Sequence, residues 1–195
     1  MKKITAVLFD GFTALDLFGP MEALNRLPDC EVCYASLDGG AVSNNKGLMV
    51  HTEKLSPDAH TDILLVPGGF GTRKLVNDER FLKALRAACG STGFILSVCT
   101  GSALLAKCGV LDGRKATGNK KSFDWTASMG PRTEWVREAR WVKDGNVYTA
   151  GGVSAGIDMA LGFIADQLGP QTARDISQGM EYRWGEDAGD GLSGF

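Results

Sequence analysis

The stretch Phe94-Ile-Leu-Ser-Val-Cys-Thr-Gly-Ser-Ala-Leu-Leu-Ala-Lys-Cys108 decides the fold. Phe94 to Val98 is a short apolar run of strand character, and an Ala/Leu-rich helical pattern follows it. Cys99 stands between them with small residues close on both sides. Strand, nucleophile, helix is the pattern of a nucleophile elbow, a sharp turn that lifts one side chain clear of a sheet. The usual small-x-nucleophile-x-small spacing reads here Ser97-Val98-Cys99-Thr100-Gly101, with Ser97 in a place more often held by glycine. The N-terminus of the following helix, through its unpaired N–H groups and dipole, is expected to favour the Cys99 thiolate. The competing reading is a cysteine that merely packs, since free cysteine is among the most buried residue types. Placement at the turn favours the nucleophile.

Outward from the elbow, strand and helix patterns alternate. Lys3 to Phe9 reads as a buried strand, and Leu15 to Leu24 as a helix in which Pro20 is tolerable only near the first turn. Glu31 to Leu37 is a second strand, and Ala41 to Thr52 a hairpin around Asn44-Asn45-Lys46-Gly47. Asp62 to Val66 is a strongly apolar strand ending in Pro67-Gly68-Gly69-Phe70-Gly71, with a helix from about Asp78 to Cys89 after it. Beyond the elbow helix, closed by Gly109, come a short strand at Lys115 to Gly118 and a short helix at Ser122 to Ser128. Glu138 to Ala150 is a hairpin turning at Asp144-Gly145. Ser154 is placed to cap a long apolar helix from Ala155 to about Leu168, a last helix runs from about Pro170 to Trp184, and the Gly/Asp-rich tail reads as loosely held. This rhythm implies a mostly parallel sheet covered on both faces, in one domain over residues 1–195. Sites in such sheets form at the carboxyl ends of strands, where the loop after the first strand, Pro67-Gly68-Gly69 and Cys99 all fall.

Composition narrows the chemistry. Among 195 residues, 21 are basic and 23 acidic, so no charge footprint for nucleic acid or an anionic membrane is present. Asp10 interrupts the first apolar run, leaving no signal-peptide core, and no apolar stretch approaches membrane-spanning length. Five cysteines without a disulfide-framework spacing suit a reducing cytoplasm. Cys30 and Cys33 form a Cys-x-x-Cys on a strand, where residues three apart face opposite ways, so a shared metal is not expected. Gly68-Gly69-Phe70-Gly71 lacks both the third glycine of a dinucleotide loop and the Lys-Ser/Thr of a P-loop. It reads better as a tight turn whose bare N–H groups approach a reacting atom, or as a turn and nothing more.

The two histidines, His51 and His60, lie well before the elbow with nothing to bring them to Cys99. Protons then fall to a carboxylate, and Asp16, between Leu15 and Leu17 after the first strand, lies on the same rim of the sheet. It suits acid/base work or a helix cap equally. An ionised Asp16 beside Cys99 would suppress the thiolate, so the pair works as neutral acid plus thiolate, with burial raising one pKa and the helix lowering the other. Thr100 can donate a hydroxyl bond at the site or serve as a first-turn residue. Asp158 reads as structural, near a helix N-terminus.

Leu15-Asp-Leu-Phe-Gly-Pro20, Val66-Pro-Gly-Gly69, Ser97-Val-Cys-Thr-Gly101 and Gly152-Val-Ser-Ala-Gly-Ile-Asp158 together resemble the ThiJ/PfpI superfamily, relatives of the class I glutamine amidotransferases, over nearly the whole chain. Within it they are most similar to the isonitrile hydratase branch, which also includes sensor-like domains joined to AraC-type regulators. The resemblance implies an α/β, flavodoxin-like three-layer sandwich, usually a homodimer, without metal or organic cofactor. It places the nucleophile on Cys99, the acid/base carboxylate on Asp16, the hydrogen-bonding residue on Thr100, and the loop facing it on Gly68 and Gly69. Many relatives carry a histidine where this chain has Ala116-Thr117-Gly118-Asn119-Lys120, which weakens a Cys-His protease or amidase reading. The activity implied is hydration of a small organic isonitrile to an N-substituted formamide through a thioimidate on Cys99. The alternatives are another superfamily enzyme (a glyoxalase, deglycase or amidase) and a ligand or redox sensor. The chain as given ends at Phe195 without a basic helix-turn-helix extension, which speaks against DNA binding.

Overall fold

The computed structural model describes residues 2–56 and 60–189. In chain order the elements are β1 (Lys2–Leu8), α1 (Ala14–Leu24), β2 (Cys30–Ser36), β3 (Gly40–Ser43), β4 (Met49–Lys54), β5 (Thr61–Val66), α2 (Thr72–Leu75) and α3 (Glu79–Gly90). They continue with β6 (Thr92–Val98), α4 (Gly101–Lys107), β7 (Lys115–Ala116), α5 (Phe123–Ser128), β8 (Glu134–Trp135), β9 (Trp141–Asp144), β10 (Val147–Ala150), α6 (Ala155–Leu168) and α7 (Pro170–Gly179).

The main sheet runs β3-β4-β2-β1-β5-β6-β10-β9. From β4 to β10 all neighbours are parallel, and the β3/β4 and β9/β10 hairpins add an antiparallel strand at each edge. Central strands covered on both faces must be apolar at every position, not at alternate ones. Ile4, Ala6, Val7 and Leu8 of β1 are accordingly all fully buried, as are Ile63, Leu65 and Val66 of β5. α1, α6 and α7 pack together in one layer, and α2 to α5 pack among themselves in the other, giving a three-layer α/β sandwich. Phe163 of α6 meets Phe94 and Tyr148 edge-on at 5.2 and 5.3 Å, which keys that helix to β6 and β10. No helix among the described residues is long and apolar enough to cross a membrane.

Four expectations need correction. Pro20 lies seven residues into α1, not near its first turn. It has no N–H to return to the carbonyl four residues back, and that residue is Asp16. Ser154 makes no side-chain cap on α6, so the helix start there rests on backbone bonds. α7 stops at Gly179, five residues short of Trp184. The described part of the tail is held and not loose: Arg140 and Trp141 donate their backbone N–H groups to the Ala188 carbonyl, and Gly185 donates to Asp158 at 2.8 Å. Residues 190–195 lie outside the described residues.

Buried Asp158 is the hub of that attachment. Its carboxylate takes Arg140 Nε at 2.7 Å and the Tyr182 hydroxyl at 3.1 Å, while its carbonyl accepts from Trp184 Nε1 at 3.2 Å. With every lone pair occupied by a donor, the structural reading of Asp158 stands.

Candidate active site

The parallel registers bring four strand ends to one rim. Val66 pairs with Ser97, and Ala150 pairs with Val98, so the loops after β5, β6 and β10 leave the sheet side by side. The loop after β1 joins them through a bridge between Phe12 and Gly69.

Cys99 is the elbow. Its φ is +61°, the left-handed region that costs an L-residue roughly 1–2 kcal/mol. The Cys99 N–H is shared between the carbonyls of Ala150 at 3.1 Å and Gly151 at 2.8 Å, which extends the β6/β10 ladder one residue past Val98 and holds the strained turn. Ser97, in the place where glycine is more usual, is fully buried and tolerated because its hydroxyl lies 3.0 Å from that of Ser102, which donates to the Thr117 carbonyl at 2.7 Å.

Asp16 is the third residue of α1 and is fully buried. It does not cap its own helix. Its Oδ2 accepts the Gly68 N–H at 3.1 Å, across the rim. Its Oδ1 is buried with no N–H or O–H donor on it, and the titratable neighbour is the Cys99 thiol. Burial pushes the Asp16 carboxyl up from 3.8 to about 7, with the Gly68 N–H and Cys99 pulling it partly back. That agrees with the sequence expectation. Cys99 does not. Burial first, and the field of an ionised Asp16 second, push its thiol up to about 12, against smaller lowering contributions from the Thr100 N–H and the Asn119 amide. The short α4 does not overcome desolvation, and the resting sulfur is a thiol.

Gly68 and Gly69 do not present free N–H groups to a reacting atom. The first serves Asp16, and the second donates to Thr100 Oγ1 at 3.0 Å. Their role is close approach. A Cβ on Gly68 would stand 2.6 Å from the Thr100 nitrogen and 2.9 Å from Asp16 Oδ2, and Gly69, at φ +135°, would put one 2.2 Å from the Gly11 carbonyl oxygen. Thr100 sits at the N-cap position of α4 without capping it, its hydroxyl turned to the glycine loop.

Two residues of this cluster carry no sequence signal. Fully buried Thr72, at the start of α2, donates its hydroxyl to the Gly69 carbonyl at 2.7 Å and lies 3.1 Å from Thr100 Oγ1. Thr72→Val keeps the shape and removes the donor, and is expected to cost about 1–2 kcal/mol in urea unfolding. Thr72→Ser should recover most of that loss, and a cost indistinguishable from zero would show that the hydroxyl does not hold the loop. Asn119 is the second: its backbone N–H donates to the Cys99 carbonyl at 3.4 Å and its Oδ1 accepts the Ser122 N–H at 3.0 Å. His51 is exposed on β4, and His60 is exposed and pairs with Asp62 at 3.2 Å, so neither belongs to the rim. Cys30 and Cys33 are half-buried free thiols. Among the described residues no three His, Cys, Asp or Glu side chains are grouped to hold a metal ion.

The DJ-1/PfpI family pattern matches residues 2–166. The chain belongs to that family. It is 35% identical over 181 residues to the isonitrile hydratase of Pseudomonas putida, an alignment covering 92% of this chain and 78% of that protein. A solved ThiJ/PfpI family protein from Pseudomonas syringae superposes with a TM-score of 0.83 at 27% identity, covering 93% of this chain and 75% of that one. The DJ-1/PfpI fold also serves regulators. The HTH-type transcriptional regulator CdhR of Pseudomonas aeruginosa is 33% identical over 144 residues, 73% of this chain but 42% of the regulator. The rim of this chain sets a cysteine beside a buried carboxyl, with His51 and His60 elsewhere.

Proposed function

We propose that this protein hydrates small organic isonitriles to N-substituted formamides, with Cys99 as nucleophile and Asp16 as the single acid/base group. The observation that carries the reading is the pairing of a buried carboxyl of pKa about 7 with Cys99 and no histidine between them. The 35% identity to an isonitrile hydratase supports it.

Above the Asp16 pKa the pair holds one proton, written either as thiol plus carboxylate or as thiolate plus carboxylic acid. As sulfur adds to the terminal carbon of the isonitrile, its proton passes to Asp16 and then to that carbon, leaving a thioimidate, R–N=CH–S–Cys99. Asp16, a carboxylate again, takes a proton from water as the water oxygen adds to the same carbon, and hands that proton to nitrogen. Collapse breaks the C–S bond, the hydroxyl proton returns to sulfur through Asp16, and R–NH–CHO leaves. Covalent catalysis divides one difficult addition into two easier ones, and one carboxyl serves both halves. A thioimidate offers no peptide leaving group to protonate, so a single group suffices.

The test is to mix purified protein with an alkyl or aryl isonitrile and follow formamide. Turnover that depends on Cys99 supports the reading. No turnover, or turnover unchanged in Cys99→Ala, refutes it.

The pH dependence has a definite sign. Below about pH 7 Asp16 already carries a proton and cannot accept the one on sulfur, so kcat/KM is expected to climb tenfold per pH unit up to about 7 and then level. A solvent-like carboxyl would put that bend near 4. A stopped-flow profile from pH 5 to 9 distinguishes the two.

A further inference from the structure

Gly69 is clamped at both its polar groups. Its carbonyl accepts the Thr72 hydroxyl at 2.7 Å and the Thr100 hydroxyl at 3.3 Å, and its N–H donates to Thr100 Oγ1 at 3.0 Å. The two hydroxyl oxygens lie 3.1 Å apart. Thr72 makes the short bond, and it comes from α2, so the loop is tied to that helix as well as to the elbow. Thr72 is fully buried, and no water stands ready to replace a lost hydroxyl there. The clamp has work to do, because Gly69 holds φ +135° and a glycine pair has little preference of its own to keep it there.

What the clamp holds still is the residue before it. The Gly68 carbonyl accepts the N–H of Thr13, at the start of α1, at 2.9 Å, and the Gly68 N–H donates to Asp16 Oδ2 at 3.1 Å. Among the described residues this is the one N–H or O–H donor on the Asp16 carboxyl, since Oδ1 has none. We infer that Thr72 is a positioning residue for Asp16: its hydroxyl fixes the Gly69 carbonyl and so keeps the Gly68 N–H aimed at Oδ2. A donor on a carboxyl oxygen favours the ionised form, so this bond holds the Asp16 pKa below the value burial alone would give. The effect on the Asp16 proton stands apart from the isonitrile reading, and only its consequence for turnover rests on it. The other charged groups of the neighbouring elements are engaged elsewhere. Asp158 on α6, the helix packed on α1, is turned to Arg140 and Tyr182, and Asp10 after β1 accepts the Ser43 N–H. Arg73, beside Thr72, reaches out to the Ser122 hydroxyl and stacks on Trp125. Cys99 is the titratable side chain that bears on Asp16, and Thr72 does not touch it.

The experiment reads the Asp16 proton directly. Protein labelled with 13C at the aspartate carboxyl carbons is titrated by NMR, and the Asp16 signal is the one missing in Asp16→Asn. Thr72→Val is expected to move the Asp16 midpoint up from about 7 by at least about half a pH unit. The bend in kcat/KM for an isonitrile should move with it, about a threefold loss on the acidic limb. Thr72→Ser keeps the donor and should restore the wild-type midpoint, whereas damage to packing alone would lower stability and leave the midpoint in place. Should Thr72→Val unfold, Thr72→Ala removes the hydroxyl without setting a second methyl against Thr100 Oγ1 and gives the same comparison. A midpoint equal to wild type in a folded Val or Ala variant would overturn the inference, as would a Thr72→Ser midpoint displaced as far as theirs. A displaced midpoint in a protein that turns over no isonitrile would leave Thr72 in its role and refute the hydratase reading instead.

Discussion

Cys99→Ala is expected to take isonitrile turnover to the uncatalysed background, a loss of at least about 10⁴-fold, with the fold intact. In the proposed sequence the substrate carbon stays bonded to sulfur from the first addition to the final collapse, so no other group can replace it. Cys30 and Cys33 sit on the far strand β2 and Cys89 and Cys108 on the layer of α3 and α4, none at the rim. Loss of activity must be separated from damage to the elbow, and the strained backbone supplies the control. Cys99 holds φ +61° because its N–H is clamped by Ala150 and Gly151, not because the side chain prefers it. Alanine inherits the strain and glycine does not. Cys99→Gly should therefore be more stable than Cys99→Ala by about 1 kcal/mol in urea unfolding, with both inactive. Equal stabilities would mean that the turn relaxes when sulfur is removed, and residual formamide production in either would assign the chemistry to another group.

The fold and the rim differ in how far the residues announce them. Ala6 to Leu8 and Ile63 to Val66 are uninterrupted apolar runs, as strands buried on both faces require, so the central sheet is legible from its residues. The elbow is legible for the same local reason, since five consecutive positions carry it. Asp16 is legible by position, as an acid among apolar neighbours just past a strand end. Thr72 and Asn119 are not. Each acts through a partner 28 or 20 positions away, Thr100 and Cys99, and threonine in a helix start or asparagine before a 3-10 turn is the ordinary residue for that place. The direction of the Cys99 pKa is not legible, because a helix N-terminus is visible in sequence and burial is not. Desolvation is set by everything packed around the sulfur, and at 7% exposure it outweighs the seven-residue helix beyond it. The Gly68-Gly69 turn leaves open in sequence whether its N–H groups face a reacting atom or serve the turn alone, and only the assembled rim shows that Asp16 and Thr100 take them.

Asp16→Asn is expected to lower turnover by about 10³-fold or more and to make the protein more stable, the second effect growing with pH. The activity loss follows from removing the only proton acceptor at sulfur, and the limb near pH 7 should vanish with it. The stability gain follows from linkage. Asp16 has its ordinary pKa of 3.8 in the unfolded chain and about 7 in the folded one, so the folded state holds the proton more tightly. Below about pH 3 both states are protonated and the group costs almost nothing. As pH rises toward 7 the unfolded chain releases its proton while the folded one retains it, and stability falls, levelling above about 7 at a penalty on the order of 4 kcal/mol. Asparagine does not ionise and escapes it. Its oxygen can take the Gly68 N–H that Oδ2 now accepts, and its NH2 falls on the side of the orphaned Oδ1, toward sulfur. Urea unfolding of wild type and Asp16→Asn at pH 3 and pH 8 measures this. Near-equal stabilities at the lower pH and an advantage of a few kcal/mol for Asp16→Asn at the higher one are expected. A variant less stable by the same amount at both would mean that the carboxyl is held by its contacts and does not carry a buried proton. That result would withdraw the acid/base role, since the poised pKa and the stability penalty have the same cause: a carboxyl kept away from water beside the sulfur it serves.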